Sequence, residues 1–376
     1  MRKSTDSCEF FNKEKAMRRV FGKVYAALLL ILMAAGESFV IFYFAWFKGT
    51  NRVAAVSLGL AGWLLSCVLA PTIHELGHIV AAKKQGMRLK MSKFSFFRLS
   101  ESAGKLRFSF ASPFAAEETQ CVPLMGGGMK KRAILYTAGG LIGGGVYLLI
   151  VLLAALLTGL FSKNASFLFW GGVPYAAYLL LLNALPFVYG EGKTDAAVLK
   201  GIVKEAGAEK AMVYAMEIYG ELSEGKSFSE IDEKYYFDLP QLPEDEPMYA
   251  MTLDLRYRYY VEKGDMKNAA DCLNRLAASA QYLPQAQFDE VAAELVYMHS
   301  LNKDTERAEE SGKLCKEYLG KDTAQAKRIL AAYCAMLGKT EEMKALKAQA
   351  ENCLSREDTE GIKKFEKILL SRICEA

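Results

Sequence analysis

Apolar and polar positions are distributed very unevenly along the 376 residues. The first half holds four long apolar runs, at about 24–47, 53–82, 132–161 and 166–185. Each is long enough to cross a bilayer as a helix. Between the second and third runs the pattern changes. Residues 90–97 and 105–111 alternate apolar and polar side chains and flank Ser100-Glu-Ser-Ala-Gly104. A period of two around a small-residue turn predicts a β-hairpin, with its aromatic side at the membrane interface. From about residue 194 onward the chain is charged and has helical periodicity. The pattern predicts an all-α protein: a polytopic membrane helix bundle of about four spans with a small interfacial hairpin, followed by a soluble α-solenoid. The expected divisions are 1–52 (tail and first anchor helix), 53–200 (membrane core) and 201–376 (cytoplasmic helical repeats).

The repeat reading rests on Gly225, Gly264, Asn302 and Gly338, spaced by 39, 38 and 36 residues. Each follows an apolar or aromatic helical stretch and precedes an amphipathic one. Helix pairs repeated at this period stack into a solenoid. The arrangement resembles degenerate tetratricopeptide repeats, which implies a concave surface for a peptide or protein partner. Residues 239–247, with three prolines, read as a loop between pairs.

Charge refines the picture. The net charge is +4, and the basic residues gather at the ends of apolar runs rather than on one patch. Nucleic acid is therefore not an expected partner; the bilayer is. Lys and Arg are concentrated before the first run, in 83–132 and after 190. That bias places both termini in the cytoplasm. The first run continues past Ala34-Ala35, so it reads as an uncleaved anchor, with Glu37 near its middle either tucked against a neighbouring helix or at a local break. The eight cysteines show no C-x-x-C spacing, which suits free thiols in a reducing compartment. A bacterial inner membrane is the expected location.

The candidate chemistry lies at the far end of the second run, in Pro71-Thr-Ile-His-Glu-Leu-Gly-His78. On a helix, His74 and His78 share one face a turn apart and can reach a single metal ion. Glu75 lies beside them, where a carboxylate can take a proton from water at the metal. Residues 53–73 carry no charge, so these polar groups stand on a membrane-length helix, where they are functional candidates by default. A hydrolytic zinc site needs a third protein ligand. The only other histidine is distant His299, so a carboxylate is required. After the fourth run, Pro186 and the following glycines make a loop from which either Glu191 or Asp195 can turn back toward the histidines.

HELGH combined with Asn183-Ala-Leu-Pro186 and a following acidic residue resembles the site-2 protease family of intramembrane zinc metalloproteases. The resemblance covers about 53–200. Val122-Pro-Leu-Met-Gly-Gly127 and Thr137-Ala-Gly-Gly140 are similar to that family's glycine elements. It implies one zinc per chain held by His74, His78 and an aspartate on a second helix, with Glu75 as catalytic base. Direct spacing puts Glu191 at the aspartate's place, whereas Asp195 keeps the residue type and the onward helix if four residues are inserted; Asp195 is the expected ligand. Asn183 is expected to position substrate or the developing oxyanion. The implied activity is a zinc metalloendopeptidase cutting peptide bonds in or beside transmembrane segments of regulatory or precursor proteins. The alternative is a membrane-anchored helical-repeat adaptor with a non-catalytic metal site.

Overall fold

The computed structural model describes residues 2–102, 105–112, 117–189, 192–357 and 359–373. Its contacts divide the chain into two compact units: Met1–Cys121 with Lys130–Lys204, and Val122–Met129 with Glu205–Ala376.

The first unit contains α1 (Arg2–Trp46), α2 (Arg52–Lys84), β1 (Met87–Phe94), β2 (Phe97–Ser102), β3 (Lys105–Phe110), β4 (Glu118–Pro123), α3 (Met129–Gly159), α4 (Lys163–Ala184), β5 (Val188–Tyr189), β6 (Gly192–Lys193) and α5 (Asp195–Lys204). Four helices are long and apolar enough to cross a membrane: Val20–Trp46 within α1, and all of α2, α3 and α4. Each starts close to where the hydropathy pattern places it. Asn51 caps α2, its side chain accepting from the Val53 and Ala54 N–H groups. Ser162 caps α4 by accepting from the Ala165 N–H.

Helix α2 is the central helix of this unit, and glycine sets its packing. A Cβ on Gly139 or Gly143 of α3 would lie 2.5 Å from the Gly77 or Ile73 carbonyl oxygen of α2. On the other side, a Cβ on Gly171 of α4 would lie 2.6 Å from the Gly59 carbonyl. Small residues at these crossings let backbones approach as no larger residue would. Ser66 ties the three helices together. Its hydroxyl bonds the Gly172 carbonyl at 2.9 Å and the Tyr147 hydroxyl at 2.8 Å. Pro71 lies inside α2. It removes one backbone donor a turn before His74, without ending the helix. Glu37 is buried on α1 against α2, and α1 is unbroken there, which selects helix packing over a local break; neither of its carboxylate oxygens has a hydrogen-bond partner.

The region between α2 and α3 is larger than the hairpin the sequence suggests. It is a four-stranded sheet in the order β3-β2-β1-β4. The expected first strand, 90–97, runs across a tight turn: Phe94 pairs with Phe97, and Ser95 has φ 50°. Alternation continues on both sides of this turn, so the pattern hides it. β2 and β3 pair antiparallel up to Ser102 and Lys105, and the tip of the anticipated turn lies outside the described residues. β4 is polar and short, and no periodicity marks it. Pairing with β1 makes it a strand.

In the second unit, helical hairpins form the body. α6 (Gly207–Ser223) and short α7 (Lys234–Phe237) lead into the pair α8 (Pro247–Lys263) and α9 (Met266–Ala278). Then come α10 (Gln285–Leu301) with α11 (Thr305–Leu314), short α12 (Lys316–Leu319), α13 (Ala324–Met336) with α14 (Thr340–Leu354), and α15 (Glu360–Ser371). Gly264 and Gly338 close α8 and α13 at positive φ, as the repeat spacing suggests. At the third boundary the left-handed residue is Lys303, not Asn302. Gly225 is left-handed but leads to a 3-10 turn and α7 rather than to a full second helix. The 122–129 segment packs on α6, where Glu217 accepts from the Gly127 N–H and, at 3.1 Å, from the Met129 N–H.

An ionic cluster sits in the middle of this unit's apolar core. Arg328 is fully buried and bonds Glu294 at 2.6 Å and Glu366 at 2.7 Å. Its guanidinium lies 4.3 Å over the Tyr297 ring. Glu294 also accepts from Tyr257 at 2.6 Å and from Gln325 at 2.6 Å. Burial alone would raise the Glu294 carboxyl, but Arg328 and its donors pull it below the ordinary range. Removing the arginine strands two buried carboxylates. Arg328→Ala is expected to destabilise this unit by about 3–5 kcal/mol, read as a lower urea midpoint of the repeat helices by circular dichroism.

Candidate metal centre

His74, Glu75 and His78 are buried on α2. One donor atom from each lies within 4.8 Å of the others, the only such grouping of potential metal ligands among the described residues. The helix supplies their spacing, and the neighbouring segments supply everything else.

Asp195 arrives from the segment after α4. Helix α4 ends at Ala184, with Leu185 extended before Pro186. The chain then forms the two-residue strands β5 and β6, pairing Val188 with Lys193 and Tyr189 with Gly192. This small hairpin accommodates the four extra residues that offset the acidic residue from direct spacing. The alternative carboxylate, Glu191, lies outside the described residues. Thr194 fastens the end of the loop. Its hydroxyl donates to the Leu185 carbonyl at 2.7 Å and accepts from the Ala197 N–H at 3.2 Å. It thereby caps α5, whose first residue is Asp195.

The Asp195 Oδ2 atom lies 3.2 Å from His74 Nε2 and 3.4 Å from His78 Nε2. It is buried and accepts no hydrogen bond. Ligand atoms held about 2.0–2.1 Å from a tetrahedral ion stand about 3.3 Å apart. The observed separations therefore fit two nitrogens and one oxygen around a single divalent cation. Burial by itself would raise the Asp195 carboxyl, but the two histidines hold it down at about 2.

Supporting contacts orient the set. His78 Nδ1 is 3.0 Å from the Tyr136 carbonyl on α3. Donation there fixes the tautomer and leaves Nε2 as the free donor atom. His74 Nδ1 is buried without a partner. Gly140 explains the close fit of α3: a Cβ there would collide with His78 Nε2 and lie 2.7 Å from Asp195 Oδ2. The glycine run of the third span therefore has two roles. Gly139 and Gly143 admit α2, while Gly140 leaves room for the ligands.

Glu75 points to the sheet. Thr119 on β4 donates to Glu75 Oε2 at 2.6 Å. The Thr119 proton being committed, its oxygen accepts from Ser92 of β1 at 2.7 Å. Tyr136 donates to the Thr119 carbonyl, which locks the same strand position from α3. Neither Thr119 nor Ser92 carries a sequence signal, because both act through strand pairing between distant segments.

No family model, curated protein or solved structure matches this chain. The geometry therefore stands by itself. It brings His74, Glu75, His78 and Asp195 together. Asn183 is half-buried and its amide donates to the Leu179 carbonyl of its own helix at 3.2 Å; among the described contacts none joins it to the other four.

Purified chain is expected to carry about one divalent ion, measured by plasma mass spectrometry. His74→Ala, His78→Ala and Asp195→Asn should each lose most of it. Asn183→Ala should retain it. Gly140→Val should lose it while leaving all ligands in place.

Proposed function

We propose that this chain is an intramembrane zinc endopeptidase of the site-2 protease type. The observation that carries the reading is the meeting of three ligand atoms from α2 and α5, 3.2–3.4 Å apart where each histidine faces Asp195, beside a glutamate held by a hydroxyl pair. The three donors stand on or against a helix apolar enough to span a membrane. A carboxylate and imidazoles at such a depth are expensive unless they serve one another or a ligand. A two-histidine, one-carboxylate set is a common hydrolytic zinc environment.

His74, His78 and Asp195 would hold the zinc. When bound, it supplies Lewis acidity to the scissile carbonyl and to water. Glu75 supplies the base. Thr119 occupies Oε2, so Oε1 is the oxygen available to take the proton of the attacking water and pass it to the leaving amine. Asn183 stabilises the developing oxyanion after its amide leaves the Leu179 carbonyl. β4 is the terminal strand of its sheet and carries Thr119. An unwound substrate segment can pair beside β4, beyond the Thr119 carbonyl that Tyr136 occupies, and so be presented beside Glu75. The substrates are transmembrane segments of regulatory or precursor proteins in a cell membrane, with both termini of this chain in the cytoplasm. The helical repeats offer a surface for a protein partner.

Glu75→Gln tests the assignment, since it should keep the metal and abolish cleavage. With the enzyme in proteoliposomes and a membrane proteome as substrate, N-terminal peptide labelling is expected to show cut sites in or next to spans for the parent. These should fall by about 10²–10⁴-fold in Glu75→Gln. Equal cleavage by the two proteins, or none by a fully metallated parent, would favour the adaptor alternative. Thr119→Val should lower the rate by a smaller factor, since the base stays present but turns freely.

A further inference from the structure

Away from the metal centre, the first unit has a crevice of about 780 Å³ between α1 and α4, closed at one side by the end of α3. Its walls are almost wholly apolar, including Leu32, Val40, Phe44, Trp170, Val173 and Leu181. All three helices are candidate membrane spans, so the crevice lies at hydrocarbon depth. Water does not stably fill an apolar space there. The available occupants are a lipid chain or another helix.

The crevice follows α4 from Lys163 to Leu181, a rise of about 27 Å at 1.5 Å per residue. The charge at its end selects between the two occupants.

One end is cationic. Lys48 and Lys163 both line it. The turns at that end, 47–52 and 160–163, carry Lys48, Arg52 and Lys163 and no acidic residue. Arg52 is stacked on Trp46 at 4.7 Å and Lys48 lies over the Tyr43 ring at 5.7 Å; neither Lys48 nor Lys163 has a carboxylate partner among the described residues. Lys163 is also the first residue of α4, where the helix dipole disfavours a cation and favours an anion. We propose that this crevice is a binding site for an anionic phospholipid, with an acyl chain between α1 and α4 and the phosphate between Lys48 and Lys163. The site has a defined chain slot and a defined headgroup end, and it is independent of the metal centre.

Native mass spectrometry of the full chain, washed in detergent and offered phosphatidylglycerol or phosphatidylcholine with identical chains, tests this. About one phosphatidylglycerol per chain should survive activation, at least tenfold over phosphatidylcholine. Lys48→Gln with Lys163→Gln should reduce that preference to near unity. Ala177→Trp, which fills the slot, should reduce retention of both lipids several-fold. The milder Ala177→Leu should do so partially, and an unchanged melting temperature for these variants excludes misfolding. Equal retention of the two lipids by the parent would overturn the proposal. So would retention that ignores Ala177, or a preference unaffected by both lysines.

Discussion

The close approach of α2 and α3 is the constraint on which the first unit depends. Gly139 and Gly143 present no side chain to the Gly77 and Ile73 carbonyls, so the two backbones touch. This contact brings the Tyr136 carbonyl within 3.0 Å of His78 Nδ1. It also brings Gly140 against His78 and Asp195 with no atom to spare. A helix held even one methyl group further away would lose the orienting bond and open the ligand cage. In an apolar solvent, helices associate through such packing and through hydrogen bonds, since there is no hydrophobic gain from burying one apolar face on another.

Buried charge is handled differently in the two units. In the repeat unit, Arg328 bonds Glu294 and Glu366 at 2.6 and 2.7 Å, so opposite charges meet within the cluster, although its Nη1 has no hydrogen-bond partner. Around His74, Glu75, His78 and Asp195 the pairing is incomplete. His74 Nδ1 and Asp195 Oδ2 are buried without hydrogen-bond partners. A core that satisfies its polar groups is stable by itself. A site that leaves donors converging on one point is arranged for something further to bind. The first cluster carries its own cation in Arg328, whereas the second gathers two imidazoles and two carboxylates, groups that can share one metal ion.

Much of the fold was legible because its signals are local. The four apolar runs follow from composition over twenty or more residues, and the left-handed closures at Gly264 and Gly338 follow from single residues. The sheet was only half legible. The turn at Ser95 is hidden because alternation continues through it, and β4 has no pattern of its own. The repeat boundary at Asn302 was displaced by one residue, since an Asn and a Lys compete there without a glycine to decide.

By itself the sequence determined that His74 and His78 share a helix face with Glu75 between them, since a 3.6-residue period requires it. It determined too that this face lies on a membrane-length apolar helix. Tertiary structure decided the rest. Asp195 reaches the histidines because a β5–β6 hairpin takes up four residues and Thr194 fixes the start of α5. Thr119 and Ser92 hold Glu75 because β1 and β4 pair across an interval of about thirty residues. Asn183, strong as a motif residue, turned its amide to its own helix. Distances between groups far apart in sequence are set by packing, and no local pattern encodes them.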